Sequence, residues 1–437
     1  MNQDIKNKKI EVKTMKFGVV GDDITGCVDI GLMFQKGGYF CDVFMKNHSI
    51  EKREDIDVAI VDTDSRFINE KEAYQRVYQR TKELKALGIN RFYKKTCSVF
   101  RGNVGIEFDA MMDALEEDYA VIVAGFPETG RTTIHSNHYV DGILLENTQF
   151  KDDPMNPMLL SDIREIIRKQ SKKNVSWIWW EDLDKGVAYV RERVMQLKNE
   201  AQYICFDVRD RNDLTIIAKA TFDAHVFGGS SALALELAKL YQVQHSVQDN
   251  IDIPTKEKGI LCCCGSVTKQ SAQQIESIKS NKDCVLLSIN PIDILEGNYD
   301  VSNMAKTAAL SIEQKKHVLL HTLGTGDPAF VKRLQKLAHE KGIEADELGN
   351  MISACLAETM AQIQEATGQY RLILAGGETS YYCCEKLKVH HMQIYEEVES
   401  GIPVCIAEGR ECYFLILKSG SFGSEAFFEN AIKKLLQ

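Results

Sequence analysis

The feature that most constrains the fold is an alternation. Short apolar runs are each followed by a polar or Gly-rich turn and then by a segment of helical period. Runs at 16–21, 57–61, 91–95, 119–124 and 203–207 read as strands, with helical stretches at 70–87 and 103–117 between them. A second series of strands falls at 259–264, 284–289, 317–322, 370–375, 403–407 and 413–418, interleaved with helices at 269–280, 327–341 and 348–367. A parallel strand pair needs a crossover, usually a helix, so this repetition predicts an α/β fold with largely parallel sheets. At 437 residues the chain exceeds one ordinary core. The polar stretch 241–258 contains Pro254 and separates a helix-like run at 231–240 from the second strand series. The expected organisation is therefore a polar tail over 1–14, an N-terminal α/β domain over 15–245 and a C-terminal α/β domain over 255–437. The cleft between the two domains is the expected ligand site.

Charge and cysteine usage narrow the partners. A net charge of -10 argues against nucleic acid as the main ligand but leaves small anions open, since local arginines and backbone N–H groups suffice for those. Apolar runs are short, as in 120–124, and none nears the ~20 residues that span a bilayer. The start M-N-Q-D-I-K-N-K-K-I has no apolar segment of signal-peptide type, and Met15 is a second candidate start. The expected setting is cytoplasmic. The 13 cysteines include no C-x-x-C pair, so they read as reduced, buried thiols rather than a metal site.

Chemistry-bearing residues cluster where predicted strands end. G-V-V-G-D-D-I-T-G (18–26) places Asp22 and Asp23 directly after the first strand. Adjacent acids there suit a general base for a hydroxyl, a metal or polyol ligand, or a helix cap. V-D-T-D-S-R (61–66) brings Arg66, a candidate carboxylate clamp, while Asp64 or Ser65 could cap the next helix. Y-K-K-T-C-S-V-F-R-G-N brings Lys95, Cys97, Ser98 and Arg101 to the same sheet edge, and G-F-P-E-T-G-R adds Arg131. In the second half, C-G-S-V-T-K-Q, A-G-G-E-T-S and L-K-S-G-S-F-G follow strands. Glycines with Ser/Thr at helix starts present N–H groups to phosphate oxygens, and three such turns favour a nucleotide site. A competing signal is G-T-G-D-P-A (324–329), which fits a dinucleotide fingerprint with Glu344 or Asp346 about 20 residues on. No P-loop motif is present.

Together these turns resemble the four-carbon acid sugar kinase family, over roughly 17–423. The family's patterns D-D-x-T-G, D-T-x-S-R, K-x-D-S-T-x-R-G-N-x-G, P-x-x-G-R, G-S, G-G-x-T-S and K-x-G-x-F-G match 22–26, 62–66, 95–105, 127–131, 265–266, 376–380 and 418–423 in order. The resemblance implies a sugar-acid-binding N-terminal domain and an ATP-binding C-terminal domain. It implies a phosphotransferase acting on the terminal hydroxyl of acids such as erythronate, threonate or 3-oxo-tetronate. Asp22, Arg66 and the 97–101 turn match substrate positions. Ser266, Gly376, Gly377, Thr379, Ser380, Gly420 and Gly423 match nucleotide positions. ATP and Mg²⁺ are the implied cofactors, with no protein ligand assigned to the metal. A homodimer is a candidate assembly.

The chain departs from the pattern at Cys97, where the family has Asp, and at Val99, where it has Thr. A thiol is a weak hydrogen-bond partner, so Cys97 reports a changed acceptor, a degenerate site, or a nucleophile. The expected mechanism has Arg66 and Arg101 holding the acceptor carboxylate and Asp22 or Asp23 taking the hydroxyl proton. Two alternatives stand beside it: a catalytically silent ATP- or sugar-acid-binding relative, and an NAD(P)-dependent oxidoreductase using 324–329.

Overall fold

The computed structural model describes residues 16–50, 56–153, 155–241 and 257–437. Its framework is one 15-stranded sheet. Numbered along the chain, the strands of the first half are β1 (Phe17–Gly21), β2 (Cys41–Phe44), β3 (Val58–Asp62), β4 (Phe92–Lys95), β5 (Ala120–Val123), β6 (Val175–Ile178), β7 (Tyr203–Phe206) and β8 (Val226–Gly229). Those of the second are β9 (Leu261–Cys264), β10 (Cys284–Ile289), β11 (His317–Thr322), β12 (Arg371–Ala375), β13 (His391–Glu399), β14 (Ile402–Glu408) and β15 (Cys412–Lys418). Across the sheet they run β10-β11-β9-β12-β15-β14-β13-β2-β3-β1-β4-β8-β5-β7-β6.

Both expected α/β halves are present, and both are parallel at their centres. β1 pairs in parallel with β3 and β4, and β9 with β11 and β12. These central strands are buried along their whole length, F-G-V-V-G and L-C-C-C. That is why they read as continuous apolar runs rather than alternating ones. The cysteine triplet 262–264 is core, as expected from its apolar context.

The two halves are joined edge to edge. β13 pairs antiparallel with β2, with Met392 opposite Val43, and the antiparallel β13-β14-β15 meander carries the sheet on into the second half. The joint was not legible in the sequence because charges interrupt both strands that form it, Asp42 in β2 and Glu396 and Glu397 in β13. The helix Ile24–Lys36 lies over it. Residues 24–34 of that helix are all buried, and a Cβ on Gly31 would stand 2.8 Å from Ile394 Cγ1 and 3.0 Å from Ile60 Cδ1. A glycine there lets the helix pack against both halves at once. Most of the expected linker, residues 242–256, and the 1–14 tail lie outside the described residues. Among the described residues no helix is long and apolar enough to cross a membrane.

This topology fixes where a ligand can sit. Strand order reverses at β1, between β3 and β4, and again at β9, between β11 and β12. A crevice opens beyond the carboxyl end of a strand at such a reversal. The turns after β1 and β9 begin at Asp22 and Gly265.

Candidate active site

The turns from both halves meet around a cavity of about 730 Å³. From the first half it is lined by Asp22, Asp23, Lys46, Asp64, Arg66, Arg101 and Asp153. From the second it is lined by Ser266, Gly376, Gly377, Glu378, Thr379 and Gly420, with Asp346 and Ser353 from the helix Ala345–Thr367.

Asp22 is buried and committed to protein partners. Arg66 donates to it through Nε at 2.8 Å and Nη2 at 2.9 Å, and the Cys97 backbone N–H donates at 3.1 Å. Burial raises its pKa, but the Arg66 guanidinium outweighs this and holds the carboxyl down to about 2. A carboxylate so stabilised is a poor proton acceptor. Of the two candidate bases, Asp22 is therefore the anchor of Arg66.

Asp23 is placed differently. Its Oδ1 accepts from the Gly26 backbone N–H at 2.6 Å, capping the helix Ile24–Lys36, so the capping reading holds for this residue. Its Oδ2 accepts from Thr25 Oγ1 at 3.0 Å and from Arg66 Nη1. The same Oδ2 faces the second half, where a Cβ on Gly377 would stand 2.9 Å from it. Gly377 opens the helix Gly377–Leu387, whose preceding residue Gly376 has φ 112°. A carboxylate of the first half thus touches the start of a helix of the second, at the head of the G-G-E-T-S turn.

The remaining first-half candidates divide between wall and support. Arg101 lines the cavity, held by Asp153 through Nη1 and by Cys97 Sγ, which accepts from Nε at 3.4 Å. Cys97, Ser98 and Lys95 do not line it. Cys97 lies behind the two arginines, buried like its neighbour Val99. Burial pushes its thiol up, but Arg101 and Arg66 outweigh that, and the thiol titrates below its ordinary range. The expectation that this thiol meets the acceptor gives way to a supporting place for it. Ser98 is buried, and its carbonyl lies 3.0 Å from His138 Nε2. Lys95 is turned inward, 3.4 Å from Asp29 and donating to the Thr96 carbonyl. Arg131 is buried away from the cavity, 5.5 Å over the Phe422 ring.

The second-half turns interlock. Thr268 Oγ1 donates to the Gly420 carbonyl at 2.7 Å and caps the helix Lys269–Ile278. A Cβ on Gly420 would stand 2.5 Å from Ser266 Oγ, and one on Gly265 would stand 2.1 Å from Thr379 Oγ1. The glycines are needed because three turns converge with no room between them. Ser266, Gly376, Gly377, Thr379 and Gly420 line the cavity, whereas Ser380 and Gly423 sit behind it. Beside these turns Lys418 Nζ donates to the Gly420 and Phe422 carbonyls, and burial brings its pKa down to about 8.

An apolar slot of about 140 Å³ opens off this side, walled by Val267, Leu323, Phe330, Leu334, Leu348 and Ile352. The Gly324 turn belongs to this slot. Asp327 caps the helix Pro328–Glu340, accepting from the Ala329 and Phe330 N–H groups at 2.9 and 3.1 Å. A dinucleotide pyrophosphate would need those same donors at the helix start.

Lys46, Asp153, Glu378 and Tyr381 were not singled out from the sequence. Lys46 ion-pairs with Asp64 at 2.7 Å and stands 4.6 Å over the Tyr381 ring, linking the halves at the cavity rim. Asp64 and Ser65 cap no helix. Asn69 caps the helix Glu70–Ala86 instead.

Comparison with known proteins agrees with this arrangement. A sugar-binding N-terminal domain model matches residues 17–237, and a nucleotide-binding C-terminal domain model matches 261–428. A Pseudomonas savastanoi pv. phaseolicola protein named 3-oxo-tetronate kinase is 28% identical, over 96% of this chain and 97% of that protein. A Haemophilus influenzae 3-oxo-tetronate kinase is 28% identical over 95% and 98%. A Salmonella typhimurium D-threonate kinase is 26% identical over 96% and 98%. A solved Haemophilus influenzae structure superposes with TM-score 0.69 at 26% identity, over 96% of this chain and all of that one (100%). Another, from Salmonella typhimurium, has TM-score 0.78 at 24% identity over 96% and 99%, a likeness of fold alone. The hydride-transfer and silent-relative alternatives are not favoured. With both domain models matched in order and kinase relatives aligned over nearly their full length, the chain belongs to the four-carbon acid sugar kinase family.

Proposed function

We propose that the protein transfers the γ-phosphoryl group of ATP to the terminal hydroxyl of a four-carbon sugar acid, in a cytoplasmic setting. The observation that carries this reading is the Asp23–Gly377 approach, which puts a carboxylate of the sugar half against the phosphate turn of the nucleotide half. Asp23 accepts the proton as the hydroxyl oxygen bonds to the γ-phosphorus and the bond to the β-phosphate oxygen breaks, releasing ADP. Arg101 uses Nε and Nη1 on Cys97 and Asp153, which leaves Nη2 for the acceptor carboxylate. Arg66, fixed by Asp22 and Asp23, adds positive charge beside it. The backbone N–H groups at Gly376–Gly377 and Gly420, with the Ser266 and Thr379 hydroxyls, receive phosphate oxygens, and the apolar slot takes the base.

The residues present fit Mg·ATP. No group of three or more acidic, His or Cys side chains among the described residues closes around a metal. Mg²⁺ typically keeps its waters and binds through phosphates and one or two carboxylates, and Asp64, Asp153 and Asp346, which line the cavity, would supply them. When bound, Mg²⁺ neutralises charge on the phosphates.

The test is ADP release from Mg·ATP against 3-oxo-tetronate, threonate, erythronate and C5 sugar acids. Turnover with one of the C4 acids is expected. ATP binding without acceptor-stimulated ADP release for any of them would remove the kinase reading.

A further inference from the structure

Among the described residues, Glu378 is the one ionisable residue that lines both the large cavity and the apolar slot. It is the second residue of the helix Gly377–Leu387, so it projects from the phosphate turn itself. Opposite it is Gly349, in the helix Ala345–Thr367, where an added Cβ would stand 3.3 Å from Glu378 Oε2. The glycine leaves the carboxyl uncovered. Among the described residues no hydrogen bond or ion pair holds it, and it is half-buried. A partly buried acid without a partner, on the wall shared by two parts of one site, is costly unless a ligand completes it.

Resting on the kinase reading above, we propose that Glu378 reads the ribose of the bound nucleotide, its carboxylate accepting hydrogen bonds from the 2′- and 3′-hydroxyls. In any nucleotide the sugar joins base to phosphates. If the base occupies the apolar slot and the phosphates the Gly376 and Gly420 turns, the ribose passes Glu378. A vicinal diol offers two donors, and a carboxylate offers two acceptor oxygens. A site built to receive a hydroxyl rejects the analogue that lacks it, because the buried acceptor is then left unpaired.

The experiment is calorimetric binding of Mg·ATP, Mg·2′-deoxy-ATP and Mg·3′-deoxy-ATP to the full chain, its Glu378→Ala and its Glu378→Gln variants, at pH 8. The wild type is expected to bind ATP about tenfold or more tightly than each deoxy nucleotide. Glu378→Ala should bring all three nucleotides to within about twofold of one another, and Glu378→Gln, which keeps one acceptor oxygen, should leave a ratio between those two. Equal wild-type affinity for the three nucleotides would overturn the assignment. So would a Glu378→Ala variant that weakens all three alike, the pattern of a metal ligand or a scaffold residue. Failure of the wild type to bind any of them would overturn this inference and the kinase reading together.

Discussion

At the scale of single residues, the site separates two acids that the sequence leaves equivalent. Asp22 and Asp23 are adjacent, yet one is bound by Arg66 on both oxygens and the other touches the opposite half of the molecule. Asp22→Asn should destabilise the fold by about 3 kcal/mol or more in chemical denaturation, since it breaks a buried pair and leaves Arg66 undercompensated. The pH signature has a definite sign. The folded pKa of Asp22, about 2, lies below the ordinary 3.8, so its stabilisation is present above pH 4 and fades as pH falls toward 2. The Asn variant should lack that acid-side loss. Cys97 belongs to the same account. Its sulfur accepts from Arg101 Nε at the position where the family pattern carries Asp, and Arg101 and Arg66 lower the thiol's pKa. Cys97→Ser, a neutral hydroxyl, should raise KM for the acid about tenfold with kcat within about threefold, because it loosens the clamp and leaves the reacting atoms alone. Cys97→Asp should keep KM near the wild-type value. A kcat collapse in both variants would make Cys97 a participant in the chemistry.

At the scale of elements, the helix Ile24–Lys36 and the β2–β13 ladder hold the two halves in register. Gly31→Val should cost about 1–3 kcal/mol by forcing a branched side chain onto Ile394 and Ile60, and it should lower ATP and acceptor binding together because both walls move. An unchanged midpoint of denaturation would show that the joint yields. Much of this level was legible in advance. The central strands were readable because buried parallel strands are unbroken apolar runs, and the helices because their apolar residues recur with helical period. β13, H-M-Q-I-Y-E-E-V-E, escaped notice because charges interrupt it. The candidate residues of the turns after β1, β3, β9 and β12 lie at the cavity or directly behind it, since strand ends at a chain reversal must converge. Which of them face a ligand was not readable. Lys95 and Cys97 belong to the same turn as Arg101, and whether each faces the cavity or the interior is decided by packing. Lys46 and Asp153 gave no motif signal because each reaches the cavity from a turn outside the motifs, and Glu378 occupies the variable position of G-G-x-T-S.

At the scale of the whole molecule, one continuous sheet makes the halves mechanically dependent. Residues 257–437 produced alone would expose β13 as a long unpaired edge, and such edges pair with one another. Sedimentation should find this fragment self-associated, whereas a stable monomeric half would show that the ladder adds little. The same continuity sets the distance between the first-half and second-half turns that line the cavity. The measurement that tests the account most directly is ADP release from Mg·ATP with its best C4 acid, by the wild type and by Asp23→Asn, beside calorimetric ATP binding for both. The account predicts a loss of at least about a hundredfold in turnover, with the ATP Kd within about threefold of wild type. Turnover that survives Asp23→Asn intact would contradict it.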